Sequence, residues 1–293
     1  MPEFPFQLIP ISAQIHRLEA RDEIWLKCPL CGRGLRVDLH AHFYTCGEHA
    51  FSKNAQGYVD LRKVQRPTCK PIGEPVGMQV LLQQGFETLS DQVNRWALAS
   101  CQSRELASVR LVQLGCGRGH WLARLRRYLL RNLRVFMLGL DTQTEHLAYA
   151  SAQTPAIHWM AATRVDVPIL KQKADLALVV QERLVVQELV RILPVGGHLL
   201  WLSVASDNFG ALRKQLHLAK PQYEHLSQRL LAPHFRLVRQ QQLEIPFVGA
   251  NLSAEEMRAL CAWMGIHLRH LPKQGPHLDE TWRFNLHWLE RYA

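Results

Sequence analysis

Long hydrophobic runs are missing from this 293-residue chain: stretches such as Leu176 to Val180 and Leu199 to Leu202 fall far short of the ~18 to 20 apolar residues that a helical membrane span requires. Met1 to His16 lacks a basic start followed by an apolar run and carries Glu3 and three prolines, so no signal peptide is expected. The seven cysteines are an odd number, and Cys69, Cys101, Cys116 and Cys261 are scattered singly, which argues against a disulfide framework. Internal repeats and low-complexity tracts are lacking too. A soluble globular protein with a cytoplasmic address and no membrane partner is the expectation.

What is present is a core-forming composition, 47% hydrophobic, with a formal charge of +10 and eight tryptophans. That balance fits a polyanionic partner without establishing one. Three regions separate by pattern. Residues 1–65 are short, turn-rich and hold the clustered cysteines. Residues 66–75 contain three prolines and a glycine, a linker composition, and apolar residues at helical spacing follow between Val76 and Ala99, so 66–108 reads as a linker and helical segment. From 109 to 293 short apolar runs alternate with helical patterns. Strands are expected at 109–114, 135–140, 157–161, 174–180 and 198–204, with helices at 120–131, 142–152 and 184–193 between them, which means βαβ units in a parallel sheet. Late strands at 235–245 and 282–289, and helices near 207–219 and at 253–263, complete the α/β reading.

Cys28-Pro-Leu-Cys31, then fourteen residues, then Cys46-Gly-Glu-His49 offers three thiolates and an imidazole. A structural zinc ion takes four such ligands in a tetrahedron, and a CxxC turn places two sulfurs on one edge of it. His40 and His42 compete for the fourth position but lie outside the second knuckle. So short a segment buries little apolar area alone, so the Zn2+ ion is expected to supply much of its folding free energy. The alternatives are an incidental or redox-active pair and a surface histidine.

The run Val109-Arg-Leu-Val-Gln-Leu-Gly115-Cys-Gly117-Arg-Gly119 is a strand entering a glycine turn that opens a helix. Ligands of open α/β sheets bind outside the carboxyl ends of the strands, where glycines allow close backbone approach. Asp141, twenty-two residues after Gly119, ends the next strand, where a carboxylate can accept ribose hydroxyls. The pattern is GxGxG rather than GxGxxG, no phosphate-binding sequence follows, and the Pro194-Val-Gly-Gly197 turn is like that of many methyltransferases. These details favour S-adenosylmethionine (S-adenosyl-L-methionine). A packing turn and a helix-capping aspartate remain the plain alternatives.

Six arginines and no acidic residue lie between Arg118 and Arg134; Arg124, Arg127 and Arg131 share a helical face opposite Leu122, Leu125 and Leu129. They are candidates for RNA phosphates, or a solvated face.

Taken together, CPLC, YTCGEHAF, GYVDL (57–61), QGFETL, LGCGRG, LGLD, PVGG and the terminal FNLHWLERY resemble the bacterial large-subunit (23S) ribosomal RNA guanine-N1 methyltransferases, over most of the chain from Cys28. The resemblance implies a Rossmann-like class I methyltransferase sheet with a small N-terminal zinc-binding module, and zinc ligands Cys28, Cys31, Cys46 and His49. It also implies cofactor contacts from Gly117, Arg118, Phe86 and Asn208, beside Gly115, Gly119 and Asp141 of the glycine turn and second strand. Its implied partner is a hairpin loop of 23S ribosomal RNA, placing the chain in rRNA processing; a homodimer stays open. The chain departs from the family at Gln113, where an acid is usual, at Arg118, where glutamate is usual, and at Gln181-Glu-Arg-Leu184 after the fourth strand. No catalytic base is assigned; Asp166 and Glu182 lie near the right strand ends. The rival reading is a catalytically degenerate fold that binds RNA or protein, and a small-molecule methyltransferase is a weaker third.

Overall fold

The computed structural model describes residues 24–38, 43–62, 87–181, 183–208, 223–247 and 280–293. Phe86, His40, His42, Glu182, the linker at 66–75, the helix expected at 253–263 and all but two residues of that near 207–219 lie outside them.

Two sheets form. Strands β1 (Leu26–Lys27), β2 (Gly34–Asp38), β3 (Phe43–Thr45) and β4 (Ala50–Ser52) make an antiparallel meander carrying the cysteine knuckles. The large sheet holds β5 (Val59–Asp60), β6 (Ser108–Leu114), β7 (Arg134–Asp141), β8 (His158–Ala161), β9 (Leu176–Val180), β10 (His198–Val204), β11 (Phe235–Phe247) and β12 (Glu280–Arg291). Their spatial order is β11-β12-β10-β9-β6-β7-β8-β5. All pairs from β5 to β10 are parallel, whereas β12 runs antiparallel to both β10 and β11. Chain order and parallel pairing force each crossover helix onto a face.

Helices α1 (Glu87–Gln102), α2 (His120–Leu129) and α3 (Thr144–Gln153) cover one face, where Leu89, Trp96, Leu122, Leu125, Leu147 and Trp159 are buried together with Trp282 and Phe284 of β12. The expected boundaries hold to within about two residues for most elements from β6 to β10. The other face is covered by α4 (Val186–Ile192), α5 (Tyr223–Leu231) and the small sheet. Trp25, Leu26, Leu35 and Tyr44 are each at most 7% exposed and pack in one cluster with Val112, Leu138, Leu140 and Met160. Burial against the large sheet therefore contributes to the stability of this module beside any metal, about 1.5–3 kcal/mol for each fully buried large side chain.

Backbone bonds join the two sheets. Lys27 N donates to Pro168 O at 3.0 Å and Leu170 N to Trp25 O at 2.8 Å, so β1 grips the loop after β8. The far side of that loop is held by α4: Arg191 donates to Ile169 O at 2.6 Å and Val167 O at 2.7 Å, and Glu188 accepts from Val167 N at 2.8 Å. Tyr44 shares a 2.6 Å hydrogen bond with His158 Nδ1, tying β3 to β8. At the amino edge of the large sheet, Ser100 of α1 meets His198 Nδ1 at 2.7 Å. No described helix is long and apolar enough to cross a membrane.

Both histidines are held well below the usual imidazole range. Burial, then the Lys53 charge, lowers His158 to about 4. Burial and then Arg104, against Glu290, lower His198 to about 4. The unfolded chain therefore takes up protons near pH 6.5 that the native fold refuses, so this contribution to stability is full above pH 6.5 and is lost as pH falls through 4. A His198→Gln variant is expected to lose less of its melting temperature than the parent between pH 6.5 and 4.5, by several degrees at roughly 2–4 °C per kcal/mol. Calorimetric scans across that range check it, and parallel slopes would refute it.

Candidate functional site

The two knuckles come together. Gly32 and Gly47 take left-handed φ values of 76° and 92°, and Gly32 N donates to Cys28 O at 2.9 Å, closing the first turn. Cys46 N donates to His49 O at 3.1 Å, closing the second. The donor atoms of Cys28, Cys31, Cys46 and His49 all lie within 4.8 Å of one another. Cys31 Sγ is 3.6 Å from Cys46 Sγ, and His49 Nδ1 is 3.5 Å from Cys46 Sγ and 3.7 Å from Cys28 Sγ. Tetrahedral zinc with about 2.3 Å to sulfur and 2.0–2.1 Å to nitrogen gives ligand separations of about 3.5–3.8 Å, so these residues fit that ion. Desolvation raises the Cys46 thiol, but the backbone amides of Glu48 and His49 and the His49 ring outweigh it and bring it to about 6, which supplies a thiolate at neutral pH. Buried Cys101, pushed up to about 12 by desolvation first, is an inert thiol by contrast.

The glycine turn also takes the form expected. Gly115, Gly117 and Gly119 all have positive φ, at 71°, 51° and 79°. Gly115 N and Cys116 N both donate to Leu140 O, at 2.9 and 2.8 Å, so the turn folds over the carboxyl end of β7. Gly117 N then donates to Asp141 Oδ2 at 2.8 Å, while Gln143 N donates to Asp141 Oδ1 at 2.8 Å. Turn and carboxylate thus converge, and the bond to Gln143 N lies ahead of the helix, which carries no side-chain cap of its own. His146 Nδ1 lies 3.9 Å from the same carboxylate. Gly119 has a packing role: a Cβ there would sit 2.5 Å from Trp159 and 2.9 Å from Ala150, and one at Gly139 would sit 2.3 Å from Trp159.

The remaining candidates are placed differently. Arg118 lays its guanidinium over the Tyr149 ring of α3 at 4.4 Å. Asn208, 1% exposed, lies just past β10, two strands from β6, and its Oδ1 accepts from Arg283 N at 2.9 Å. Asp166 pairs with Lys27 at 2.6 Å. The PVGG turn lies at the amino edge, where Gly196 N and Gly197 O bond to Arg291 at 2.8 Å each. The arginine stripe needs correction: Arg124 donates to Ser90, Glu87 and Asp91 at 2.9, 2.8 and 2.7 Å, so its acids come from α1. Arg127, Arg131 and Arg134 are exposed, and Arg134 begins β7 at the edge opposite the glycine turn. Gln113, marked in the sequence as standing where an acid is usual, is 1% exposed with its Oε1 unpartnered near the end of β6. Missed by sequence reasoning is the Asp60–Arg62 pair beside Thr142.

The large sheet is parallel from β5 to β10 with β6 in its interior, and β12 lies antiparallel between β10 and β11 near one edge. It is a Rossmann-like α/β sheet. No protein-family model matches the chain, and no curated protein matches it. Among solved structures, the YcgJ protein of Bacillus subtilis is similar at TM-score 0.45 and 14% identity, over 64% of this chain and 93% of its own. Geranyl diphosphate C-methyltransferase from Streptomyces coelicolor, solved with Mg2+, geranyl diphosphate and S-adenosyl-L-homocysteine, gives 0.47 and 12% over 97% of this chain and 99% of its own. The [4+2]-cyclase SpnF gives 0.45 and 16% over 68% and 82%. With identities this low and TM-scores below 0.5, the architecture rests on the chain's own strand order.

One zinc per chain is expected by atomic absorption. Cys31→Ser and Cys46→Ser should lose it and melt at lower temperature, while Cys101→Ser keeps it; full zinc content in the Cys46 variant would refute the assignment.

Proposed function

We propose that the chain is an S-adenosylmethionine-dependent methyltransferase that modifies N1 of a guanine in a hairpin loop of large-subunit ribosomal RNA. The observation that carries the cofactor part is the closure of Gly117 N onto Asp141 Oδ2 at 2.8 Å, at the carboxyl edge of this sheet. Each carboxylate oxygen gives one lone pair to an amide and keeps another, so Asp141 can still accept from a ribose hydroxyl. The unpartnered, buried Oε1 of Gln113 at the end of the preceding strand offers a further acceptor. Bound there, the cofactor supplies a methyl group on a sulfonium; orientation of the acceptor nitrogen then dominates the rate. The RNA part is supported by the zinc knuckles together with GYVDL and FNLHWLERY, and by the basic balance of the chain. A guanine N1 must lose its proton, and Asp166, committed to Lys27, is a poor acceptor for it.

One observation favours a second reading, a fold kept for docking: Gln113 leaves the first strand end uncharged, and Arg118 is turned onto Tyr149. Calorimetry separates the two. The zinc-loaded chain is expected to bind S-adenosyl-L-homocysteine, and Asp141→Asn to weaken it roughly tenfold, about 1.4 kcal/mol. Mass spectrometry of ribosomal RNA from cells with and without the chain should then show loss of one N1-methylguanine. Absent cofactor binding, the docking reading stands instead.

A further inference from the structure

The segment after the second knuckle does more than link the two sheets. From β4 the chain makes a tight turn in which Asn54 Oδ1 accepts from Gln56 N at 3.0 Å and Tyr58 N at 3.3 Å, and Gly57 N donates to Asn54 O at 2.9 Å. That turn is fastened to α3: buried Ser151 donates to Gln56 O, and Gly57, at φ 86°, lies so close that a Cβ would be 3.2 Å from the Ser151 side chain. Next, β5 joins the large sheet, pairing Val59 with Met160 and Asp60 with Ala161. At its end Arg62 grips Asp60 in a fork, Nε to Oδ1 at 2.9 Å and a terminal nitrogen to Oδ2 at 2.6 Å. Its other terminal nitrogen donates to Thr142 O at 3.2 Å. Thr142 lies between Asp141 and Gln143, and Ala162 N holds Asp141 O at 3.1 Å. Helix α3 is therefore gripped near its end by the 54–58 turn and at its start by Arg62.

We infer that Arg62, oriented by Asp60, is a positioning residue for the cofactor turn: it fixes the Thr142 carbonyl and thereby the aim of the Asp141 carboxylate toward the adenosyl ribose. The inference rests on the cofactor reading given above. A long cation with a planar fork suits this task, because two parallel bonds to Asp60 leave the third nitrogen with a defined direction. Asp60 and Arg62 have side chains 27% and 12% exposed, so the fork between them is partly shielded from solvent, while the bond it directs to Thr142 O is exposed. The segment that carries it leaves the knuckle ending at His49, so one strap runs from the small sheet to the Asp141–Gln143 turn.

Hydrogen exchange and calorimetry on the zinc-loaded full chain test this. Arg62→Ala is expected to speed exchange at the Gly117 and Gln143 amides, which donate to Asp141, while the Cys46 amide and the zinc content stay as they were. S-adenosyl-L-homocysteine affinity should fall at least fivefold, and adding Arg62→Ala to Asp141→Asn should cost little more than Asp141→Asn alone. Arg62→Lys, able to reach Thr142 but not to fork onto Asp60, should fall between. Unchanged exchange at the two amides, or faster exchange spread equally over the knuckle, overturns the inference. A parent chain that fails to bind the cofactor product sinks the functional reading instead, and the exchange data still decide the strap.

Discussion

One carboxylate ties the carboxyl edge of the large sheet together. Asp141 ends β7 with its side chain about nine-tenths buried, and it accepts from the backbone of two different turns, Gly117 before α2 and Gln143 before α3. Bonds from amides to a buried charge contribute on the order of 1.5–3 kcal/mol each, and leaving such a charge unpaired costs more. The glycine turn, the start of α3 and the carboxyl ends of β6 and β7 thus share one electrostatic anchor. Positive φ at Gly115 and Gly117 is what lets the two amides of this turn and Leu140 O meet without a side chain intervening.

The second constraint is topological. Sheets of this kind need both faces covered, and here part of one face is roofed not by a helix but by the meander that carries the Cys/His cluster. Trp25, Leu26, Leu35 and Tyr44 fill the space over β6, β7 and β8, and the loop 166–170 is clasped between β1 and α4. The Cys/His cluster and the packing against the large sheet share the same backbone, so neither is decoration on the other.

Much of this was legible in the chain. The alternation of apolar runs with amphipathic stretches marked β6 to β10, because a buried parallel strand and a crossover helix leave opposite periodicities. The clustering of three cysteines with His49 was legible because coordination geometry restricts spacing, and the glycine turn because φ above zero restricts residue type. What stayed hidden depends on contacts between distant segments. The charges answering Arg124 come from Glu87 and Asp91, more than thirty residues upstream. Asp60 and Arg62 carry no signal of their own in the sequence, and their place beside Thr142 appears only when β5 lands beside β8. Asn208 shows the converse: a residue at the correct edge whose amide oxygen turns to the backbone of β12. The short strands of the meander and α5 gave too little periodic signal to be read at all.

Trp159 occupies the room vacated by Gly119 on one turn and Gly139 on the neighbouring strand, its indole pressed against both. These three positions are consequently a locked set for sequence drift. A methyl group gained at either glycine collides with the same ring, so no member can change first unless the tryptophan has already given way to something smaller, and that exchange would hollow out the floor beneath the glycine turn.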